Sequence, residues 1–427
     1  MSKIYLNKTV YEASIERINY LYDEFDPSEI WLSWSGGKDS TVCLYLMKEV
    51  AQKRGIDYIN VLIIDLEGHY KMHIDFMQSI VEDATFEIRG YWVCLPFNLS
   101  NASSFHMPKW LCWDPKEKEN WIRPLPENKI VVSYTDHPFG EYFRIGIEFE
   151  EFIIEFPRFL VEQRGLKKVA QVIGIRTQES YNRFLKMRVR ENREFYNGLQ
   201  WMLKQKSTGY DTYSIHPIYD WESSDVWKYQ SDKPYNPVYD KMYLAGYPLH
   251  EMRICQPYGE EQRDNINLFA IIEPETWARM TARVEGANFA KLYKGKNILK
   301  GRIEKPEHLT WEAWGRLILR TMPPYLREHY LRRINVFLRW WRKEIYQDIE
   351  HVYSNDYAEN ECFDQDGIYV VDIPDEKEGD TQKECPSWRR ITKVLVKGDY
   401  LCKNLTFQAN QREYEKLEEL KKKWSTL

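Results

Sequence analysis

The feature that most constrains this chain is a glycine pair within Ser35–Ser40, which separates a strand pattern from a helix pattern. The apolar, aromatic run Ile30–Trp34 precedes it, and residues 42–50 repeat apolar side chains at the spacing of a helix packed on a sheet. Two adjacent glycines permit positive φ and leave no Cβ in the way, so successive backbone N–H groups can converge on an anion. The sequence therefore predicts a strand, a phosphate-binding loop and a helix. The alternative is an ordinary glycine turn, with Asp39 or Ser40 capping the helix.

The loop has the chemical groups of a phosphate site without the Walker A spacing. The unpaired N-terminal N–H groups and the positive dipole end of the following helix favour phosphate. Lys38 and the hydroxyls of Ser35 and Ser40 would complete the cradle. A Walker A loop keeps its glycines well apart, whereas Gly36 and Gly37 are adjacent. We therefore expect a phosphate loop of another class.

The composition limits the kinds of partner. The chain has 427 residues, enough for more than one domain, and a formal net charge of −5. A negative net charge argues against a protein that coats nucleic acid through bulk charge, although a local basic patch stays open. Aromatic residues make up 15% of the chain, with 16 Trp and 30 Tyr, so we expect aromatic-rich packing and aromatic binding surfaces.

The cysteine pattern and the N-terminus indicate a soluble, cytoplasmic protein. The 7 cysteines include no C-x-x-C pair, so no zinc site, iron–sulfur cluster or thioredoxin-type dithiol is predicted. Scattered reduced thiols fit a cytosolic protein. Residues 1–7 have no apolar signal region, and no run approaches the roughly 18 apolar residues of a membrane span.

A second strand pattern, Tyr58–Asp65, places two carboxylates near the glycine loop. The strand is apolar enough to be buried on both faces, so strand, helix and strand form a parallel unit. Ligands of open α/β sheets bind beyond the carboxyl ends of strands. Asp65 and Glu67 therefore fit ligands of a ribose hydroxyl or a metal. The alternative is a pair of solvated loop acids.

The chain then continues through a helix pattern, a third strand and a long irregular section. Residues 70–84 fit the helix and residues 86–95 the strand, and 96–146 read as an insertion or a substrate lid. His106 and Cys112 lie in that section, where structural or surface roles fit better than metal binding. A helix pattern returns at 148–165, where we expect Pro157 to kink or divide it.

A buried strand pattern at 168–175 leads directly to Arg176, Glu179 and Arg183. Arg176 leaves the strand end, and Glu179 and Arg183 are spaced to share one helix face. An arginine beside a phosphate loop can bind an anionic oxygen bidentately, with Glu179 holding a guanidinium in place. Considered alone, the same residues fit a surface ion pair better.

Five stretches in this order resemble the phosphoadenosine phosphosulfate (PAPS) reductase family. That family belongs to the PP-loop proteins that bind adenine nucleotides, which include ATP pyrophosphatases. The resemblance covers roughly residues 28–250 and implies an α/β parallel-sheet domain of the adenine nucleotide alpha-hydrolase-like type. The motifs that show the resemblance are SGGKDS at 35–40, the strand ending at Asp65, GIRTQES-x-x-R at 174–183, HPIYDW-x-x-x-DVW at 216–227 and YNPVYD-x-x-x-x-AG at 235–246.

The resemblance implies a nucleotide site with ATP, PAPS or adenosine phosphosulfate as the ligand. Mg²⁺ would accompany the nucleotide, with Asp39 as its protein ligand. Lys38, Asp39 and Cys255 are the implied catalytic residues, and Arg176, Glu179 and Arg183 the implied binders of a substrate anion. The implied nucleotide-binding residues are Ser33, Ser35, Gly36, Gly37, Lys38, Asp39, Ser40, Asp65 and Gly174.

The cysteines depart from the reductase pattern. Reductases of this family carry a nucleophilic cysteine in a C-terminal Glu-Cys-Gly-[Ile/Leu]-His segment, and neither Cys362 nor Cys385 is followed by Gly and His. Cys255 follows the matched region and lies between Arg253 and Arg263, which would lower its pKa. The alternative is a buried, small apolar cysteine.

The stretch around Cys255 and the C-terminal half look similar to a bacterial and phage-borne PAPS reductase-like subgroup. It includes the immunoglobulin-binding regulator A proteins, and its genes are often beside one for a ParB-like protein. The resemblance therefore implies a ParB-like partner.

The C-terminal half is predicted to be mainly helical. We expect a lead-in helix at 1–27, the PP-loop domain at 28–262, a helical domain at 263–350, an acidic linker or loop at 351–386 and a basic helical segment at 387–427. Arginines interleaved with Trp340 and Trp341 at 327–343 fit a nucleic-acid-binding face or a solvated helix face.

Three functions follow from these observations. The first is an enzyme that adenylates a substrate with release of pyrophosphate, in sulfur transfer or nucleic-acid modification. The second is a PAPS or adenosine phosphosulfate reductase that uses a thiol such as Cys255. The third is a regulator or DNA-associated module that keeps the nucleotide pocket as a sensor.

Overall fold

The chain forms two compact units. They comprise Met1–Leu99, Leu111–Pro257 and Ile266–Val284 in the first, and Ser100–Trp110, Tyr258–Asn265 and Glu285–Leu427 in the second. The sequence-based domain boundaries stay a prediction. The computed structural model describes residues 7–104, 107, 109–179, 183–184, 187, 193–259, 266–284, 286–287, 305–345, 363–376, 386–399, 402–405, 407 and 423–424.

A seven-stranded sheet in the order β6-β3-β2-β1-β7-β9-β8 forms the centre of the first unit. Every neighbouring pair is parallel except β8 and β9. At its centre Trp31 lies opposite Asn60 on one side and Gln171 on the other. The predicted α/β parallel-sheet class is confirmed. The strands are β1 Ile30–Ser33, β2 Tyr58–Ile64, β3 Glu87–Cys94, β6 Val131–Ser133, β7 Val169–Ile173, β8 Met202–Lys204 and β9 Thr212–Ile215, and a separate two-stranded sheet pairs β4 Asn98–Ser100 with β5 Lys109–Leu111.

The helices of the first unit follow the sequence patterns closely. Thr9 and Glu12 form a capping box at the start of the first helix. Pro157 lies inside one continuous helix, so it does not divide the predicted 148–165 segment. The helices are α1 Val10–Glu24, α2 Lys38–Lys53, α3 Lys71–Val81, α4 Phe149–Arg164, α5 Ser223–Gln230, α6 Val238–Leu244, α7 Asn267–Ile272 and α8 Pro274–Arg283.

The pair α7–α8 packs onto the start of α3. The Glu273 carboxylate accepts hydrogen bonds from the backbone N–H groups of Lys71 (2.7 Å) and Met72 (3.0 Å), which satisfies two of the unpaired donors at that helix terminus. The ring of Phe269 stacks on Tyr70 with centroids 3.8 Å apart. Residues far along the chain therefore fix the loop between β2 and α3.

The second unit contains three α-helices among its described residues and has its own apolar core. Thr310 and Ser387 are N-caps, and their side chains accept hydrogen bonds from backbone N–H groups in the first turns of their helices. Leu326, Ile334 and Leu395 belong to the core. The helices are α9 Trp311–Thr321, α10 Pro324–Ile345 and α11 Trp388–Lys397.

The arginines of α10 are divided between packing and the surface. Arg333 is buried at 5% exposure, and Arg342 donates to the Tyr369 hydroxyl over 2.8 Å. Arg339 and Trp340 are exposed. Part of the basic face at 327–343 is thus used inside the unit, and its binding of nucleic acid stays a prediction.

The described part of the acidic segment, 363–376, is held by ion pairs. Asp366 pairs with Arg320 at 2.8 Å and Arg316 at 3.0 Å, and Asp364 pairs with Arg316 at 2.6 Å. The hydrogen bonds from the two arginines lower the pKa of Asp366 to about 2. Among the described helices, none has the length and hydropathy needed to cross a membrane.

Candidate functional site

The Ser35–Ser40 loop joins β1 to the N-terminus of α2. Gly36 has φ +67°, and a Cβ there would lie 2.6 Å from Met77 and 2.7 Å from His73, so only glycine fits. Gly37 occupies the N-cap position without a side-chain hydrogen bond to the helix, and the Lys38 N–H donates to the Tyr239 hydroxyl over 2.9 Å. The other N–H groups of the first turn and the positive dipole end of α2 are the features that favour anions.

Two serine hydroxyls fix the shape of this loop. The Oγ atoms of Ser35 and Ser40 lie 3.1 Å apart, and Ser40 Oγ donates to the carbonyl of Gly37 at the same distance. The backbone N–H of Ser35 donates to Ser40 Oγ over 3.2 Å. Ser40 thus closes the loop on itself, while Ser35 faces a cavity described below.

Lys38 is a buried cation at the start of α2. It is 5% exposed, and its Nζ donates to the carbonyl of Met252 over 2.9 Å and lies 3.5 Å from Asp39. Burial lowers the pKa of Lys38, and the Asp39 carboxylate opposes that shift. A negatively charged ligand beside Lys38 would therefore relieve an electrostatic penalty that the fold already carries.

The predicted anion-binding cluster assembles at the same helix terminus. Arg176 is 2% exposed, and its Nε donates to Asp39 Oδ1 over 2.6 Å. Glu179 forms the predicted ion pair with Arg183 and lies 4.0 Å from the Arg176 guanidinium. Arg176, Glu179 and Arg183 thus form a connected group, with Arg176 nearest the loop.

Gly174 allows the end of β7 to approach α2 this closely. A Cβ at Gly174 would lie 2.8 Å from the backbone nitrogen of Ser40 and 2.9 Å from the carbonyl of Asp39. Those atoms are backbone and cannot move aside. Gly174 therefore acts through close packing against the loop.

Asp65 lies at the carboxyl end of β2, where its carboxylate is already paired. It is 2% exposed, forms an ion pair with Arg123 and accepts a hydrogen bond from the Trp92 indole over 2.9 Å. Burial alone would raise the pKa of Asp65, but the Arg123 guanidinium holds it below its ordinary value. Binding of a ribose hydroxyl by Asp65 would add to this network.

Glu67 is a buried anchor, so the expectation of a solvated loop acid is wrong for it. Its carboxylate accepts hydrogen bonds from the backbone N–H groups of Trp113 (2.6 Å) and Ile122 (2.9 Å), and from Arg283 Nε (3.2 Å). The side chain is 0% exposed, and burial raises its pKa. Glu67 thereby fastens part of the 96–146 section to the end of β2.

A cavity of about 230 Å³ adjoins the glycine loop, and we call it the loop cavity. Apolar side chains from the ends of β1, β2 and α3 form most of its wall. Its hydroxyl, carboxyl, imidazole and thiol groups belong to Ser33, Ser35, Asp65, His69, His73 and Cys255. Within the described residues the Ser33 hydroxyl has no hydrogen-bond partner, although it is buried. The cavity thus has an unused polar group beside the glycine loop.

The two histidines of the loop cavity were not identified from the sequence. Burial lowers the pKa of His69 to about 4 and the pKa of His73 well below its ordinary value, so both rings are neutral at pH 7. His73 Nδ1 lies 2.5 Å from the Asn236 amide, which also donates to the carbonyl of Gly36. The i,i+4 spacing of His69 and His73 after Asp65 was the available signal.

Cys255 lines the loop cavity, and Cys112 does not. Cys255 is half-buried. Cys112 is fully buried, and burial raises its pKa, in agreement with a structural role. His106, Cys362 and Cys385 lie outside the described residues.

The described side chains do not form a metal centre. No group of three or more His, Cys, Asp or Glu side chains among them is arranged to hold a metal ion. Asp39, the expected magnesium ligand, is engaged by Arg176 and Lys38. Any Mg²⁺ would therefore be held chiefly by the nucleotide's own phosphates.

The parallel sheet, the glycine loop at the end of its central strand and the cluster around α2 define a PP-loop protein. Residues 148–245 match the model of the phosphoadenosine phosphosulfate reductase domain, and residues 246–416 match a model described as a domain of unknown function (DUF3440). The chain belongs to the PAPS reductase-like family of PP-loop proteins. It is 35% identical over 437 residues to the uncharacterized protein YbdN of Escherichia coli K12. The alignment covers 100% of this chain and 98% of that relative.

Solved structures show weaker likenesses. The Candida glabrata FMN adenylyltransferase with FMN and an ATP analogue aligns with a TM-score of 0.31 and 16% identity over 56% of this chain and 63% of that one. The Candida auris PAPS reductase with phosphate aligns with a TM-score of 0.27 and 12% identity over 58% of this chain and 96% of that one. This chain thus spans less than two thirds of the length of the FMN adenylyltransferase.

Proposed function

We propose that this chain binds ATP or a related adenine nucleotide at Ser35–Ser40 and adenylates a substrate with release of pyrophosphate. The observation that supports this most directly is the N-terminus of α2, with a glycine at its N-cap position, beside the loop cavity. A helix terminus with open N–H groups favours phosphate oxygens. The buried Lys38 and Arg176 add two cations to the same place.

The reaction needs negative charge to be stabilised on a leaving group. A nucleophilic atom of the acceptor attacks the α-phosphorus, and the bond to the oxygen bridging the α- and β-phosphates breaks. That oxygen leaves with the electron pair as part of pyrophosphate. Lys38 and the N–H groups of α2 would stabilise this charge without rearranging, because burial and hydrogen bonds already fix them. Bound Mg²⁺ would supply further charge neutralisation on the phosphates.

Asp39 would position Arg176 and Lys38. Its carboxylate contacts both cations, so its charge holds them together in the absence of phosphate. Ser33 and Asp65 would contact the sugar or the base, because they line the cavity next to the loop. Acceptors compatible with this chemistry include sulfur carriers and nucleic acids.

The test is release of pyrophosphate from ATP with Mg²⁺, in the presence and absence of candidate acceptors. Lys38→Ala should abolish release. Lys53→Ala is the matched control, because Lys53 is a surface residue of the same helix paired only with Glu49. Tight ATP binding without turnover, unchanged by Lys38→Ala, would remove the catalytic proposal and favour a nucleotide sensor.

A second candidate function is reduction of PAPS or adenosine phosphosulfate through Cys255. The specific observation in its favour is that Cys255 lines the loop cavity together with Ser35 and Asp65. In that reaction the thiolate attacks the sulfur, the nucleotide leaves, and a thioredoxin dithiol releases sulfite and becomes oxidised. Sulfite release that persists in Cys255→Ser would exclude Cys255 as the nucleophile.

The macromolecular partners expected from the sequence stay proposals. A ParB-like partner protein is implied only by the resemblance stated above. Nucleic acid at 327–343 would have to use the exposed Arg339 and Trp340, because Arg333 is buried. Co-purification with a tagged chain, in wild type and Arg339→Ala, would address both.

A further inference from the structure

The first unit has a second cavity, of about 360 Å³, with walls formed mainly by α5, α6 and the segment that follows them. We call it the aromatic cavity. It shares no lining residue with the loop cavity. Its aromatic and polar lining residues include Trp227, Gln230, Tyr235, Tyr239, Asp240 and Tyr243.

Four aromatic side chains line this cavity, namely Trp227, Tyr235, Tyr239 and Tyr243. Trp227 and Tyr239 meet edge to face, with centroids 5.2 Å apart and planes at 87°, which fixes both rings. Tyr243 lies on the rim with 63% of its surface exposed. Tyr235 donates to the Asp240 carboxylate over 2.6 Å, so its ring is also held in place. The wall rings Trp227, Tyr235 and Tyr239, which are held by these contacts, would lose little entropy on contact with a planar group.

The polar groups of the cavity favour a ligand that donates hydrogen bonds. Gln230 is 2% exposed, and within the described residues its Oε1 has no hydrogen-bond partner. Asp240 adds a carboxylate, and no lysine or arginine is among the described residues that line the cavity. A phosphate would find no cation there. An N–H group on a planar ring would satisfy the buried acceptor.

The aromatic cavity is hydrogen-bonded to the phosphate loop through one residue, Lys38. The Tyr239 hydroxyl accepts from the Lys38 backbone N–H over 2.9 Å, and Gln230 Nε2 donates to the Lys38 carbonyl over 2.8 Å. Met252, which also lines the cavity, accepts from Lys38 Nζ over 2.9 Å. A ligand that moves Gln230 or Tyr239 therefore acts on the residue nearest the anion site.

We propose that the aromatic cavity binds a nucleobase, a planar heteroaromatic ring with an N–H donor, as a second ligand distinct from any nucleotide at Ser35–Ser40. Stacking on Trp227 and Tyr243 holds the ring, and Gln230 Oε1 selects for the donor. Occupancy of the cavity changes anion binding at Lys38. The base comes either from a free nucleoside or from a single strand of nucleic acid.

The experiment measures binding of cytidine and of a short deoxycytidine oligonucleotide by calorimetry, with the loop cavity saturated by ATP. Base–aromatic stacking predicts that Tyr243→Ala and Trp227→Ala each weaken binding by at least about fivefold. Tyr243 is so exposed that its substitution leaves folding intact. Tyr134→Ala is the matched control, because Tyr134 is also exposed, at 42%, and lies outside the cavity.

A cytidine analogue dimethylated at the exocyclic amine tests the donor. The wild type should bind it more weakly than cytidine, and Gln230→Leu should remove that preference. Equal binding of nucleoside and oligonucleotide supports a free nucleoside, and tighter oligonucleotide binding supports a strand. The proposal is overturned if neither probe binds, if ATP displaces both, or if Tyr134→Ala weakens binding as much as Tyr243→Ala. Pyrophosphate release is measured separately, so failure of either proposal leaves the other standing.

Discussion

The Nε of Arg176 donates to Oδ1 of Asp39 over 2.6 Å, which joins the end of β7 to the first turn of α2. The Arg176 side chain is 3% exposed and that of Asp39 14%, so little water screens the pair. The pair holds a cation next to the N-terminus of α2 while that terminus has no phosphate.

Arg176→Ala should weaken ATP binding by at least about tenfold and lower the free energy of unfolding by about 3 kcal/mol, because it removes the nearer of the two buried cations that contact Asp39. Arg176→Lys should lose less, since it keeps the charge without the planar guanidinium. Calorimetric titration and urea unfolding measure the two effects. Arg158→Ala is the control, because Arg158 forms only surface pairs with Glu155 and Glu162. Equal losses in both alanine variants would contradict this role.

Gly36→Ala should destabilise the protein more than Gly55→Ala, although both glycines have similar positive φ, +67° and +74°. Both variants pay about 1–2 kcal/mol for the left-handed backbone. Only at Gly36 does the new methyl group also meet Met77 and His73, which adds about 1–3 kcal/mol of overpacking. Urea unfolding gives the difference. ATP affinity should fall in Gly36→Ala alone, and similar affinity in both variants would argue against phosphate binding at this loop.

His69 should make the protein less stable as the pH falls from about 6.5 to about 4. Burial lowers its folded pKa to about 4, so the unfolded chain binds a proton in that range and the folded chain does not. Its contribution is therefore complete above pH 6.5 and lost on acidification, by about 2 kcal/mol once the partial exposure of the ring is allowed for. Urea unfolding at pH 7, 6 and 5 gives the free energy of unfolding at each pH. That free energy should fall less steeply with decreasing pH in His69→Gln than in the wild type.

His250→Gln is the control for the histidine experiment, because the His250 side chain is 72% exposed. The pH dependence of its free energy of unfolding should equal that of the wild type. A His69→Gln protein with the wild-type pH dependence would show that the ring is not buried in its neutral form.

Arg123→Ala should cost about 3 kcal/mol or more of unfolding free energy, because Asp65 is 2% exposed and would lose its cation. The lowered pKa of Asp65 gives stability that is present above its unfolded pKa and lost as the pH falls through the lower folded value. That acid dependence should shrink in Arg123→Ala. Arg144→Ala, which breaks an exposed pair with Glu151, should change stability by less than about 1 kcal/mol.

Local patterns predicted the framework of the site. The strand, glycine loop and helix at 30–53, the strand ending next to Asp65 and the Glu179–Arg183 ion pair all depend on neighbours in sequence. Contacts across long stretches of chain were not predictable. The Asn236 amide contacts His73, and the Tyr239 hydroxyl contacts the Lys38 backbone N–H. The spacing of apolar residues along the sequence gives no indication of such pairs.

Glu67 shows why a carboxylate after a strand is ambiguous. Its position fits a ligand, yet its oxygens are used by the N–H groups of Trp113 and Ile122. Only the path of the 96–146 section decides between these roles, and that path lacks a repeating apolar pattern.

The contact between Glu273 and the start of α3 also bears on how relatives of this chain can recombine. Glu273 lies within the stretch matched by the second family model, 246–416, yet its carboxylate satisfies donors of a helix that carries His73. Swapping everything after residue 245 between two relatives would therefore exchange part of the first unit itself. The first unit extends to Val284, so the boundary between the two family models at residues 245 and 246 falls inside it.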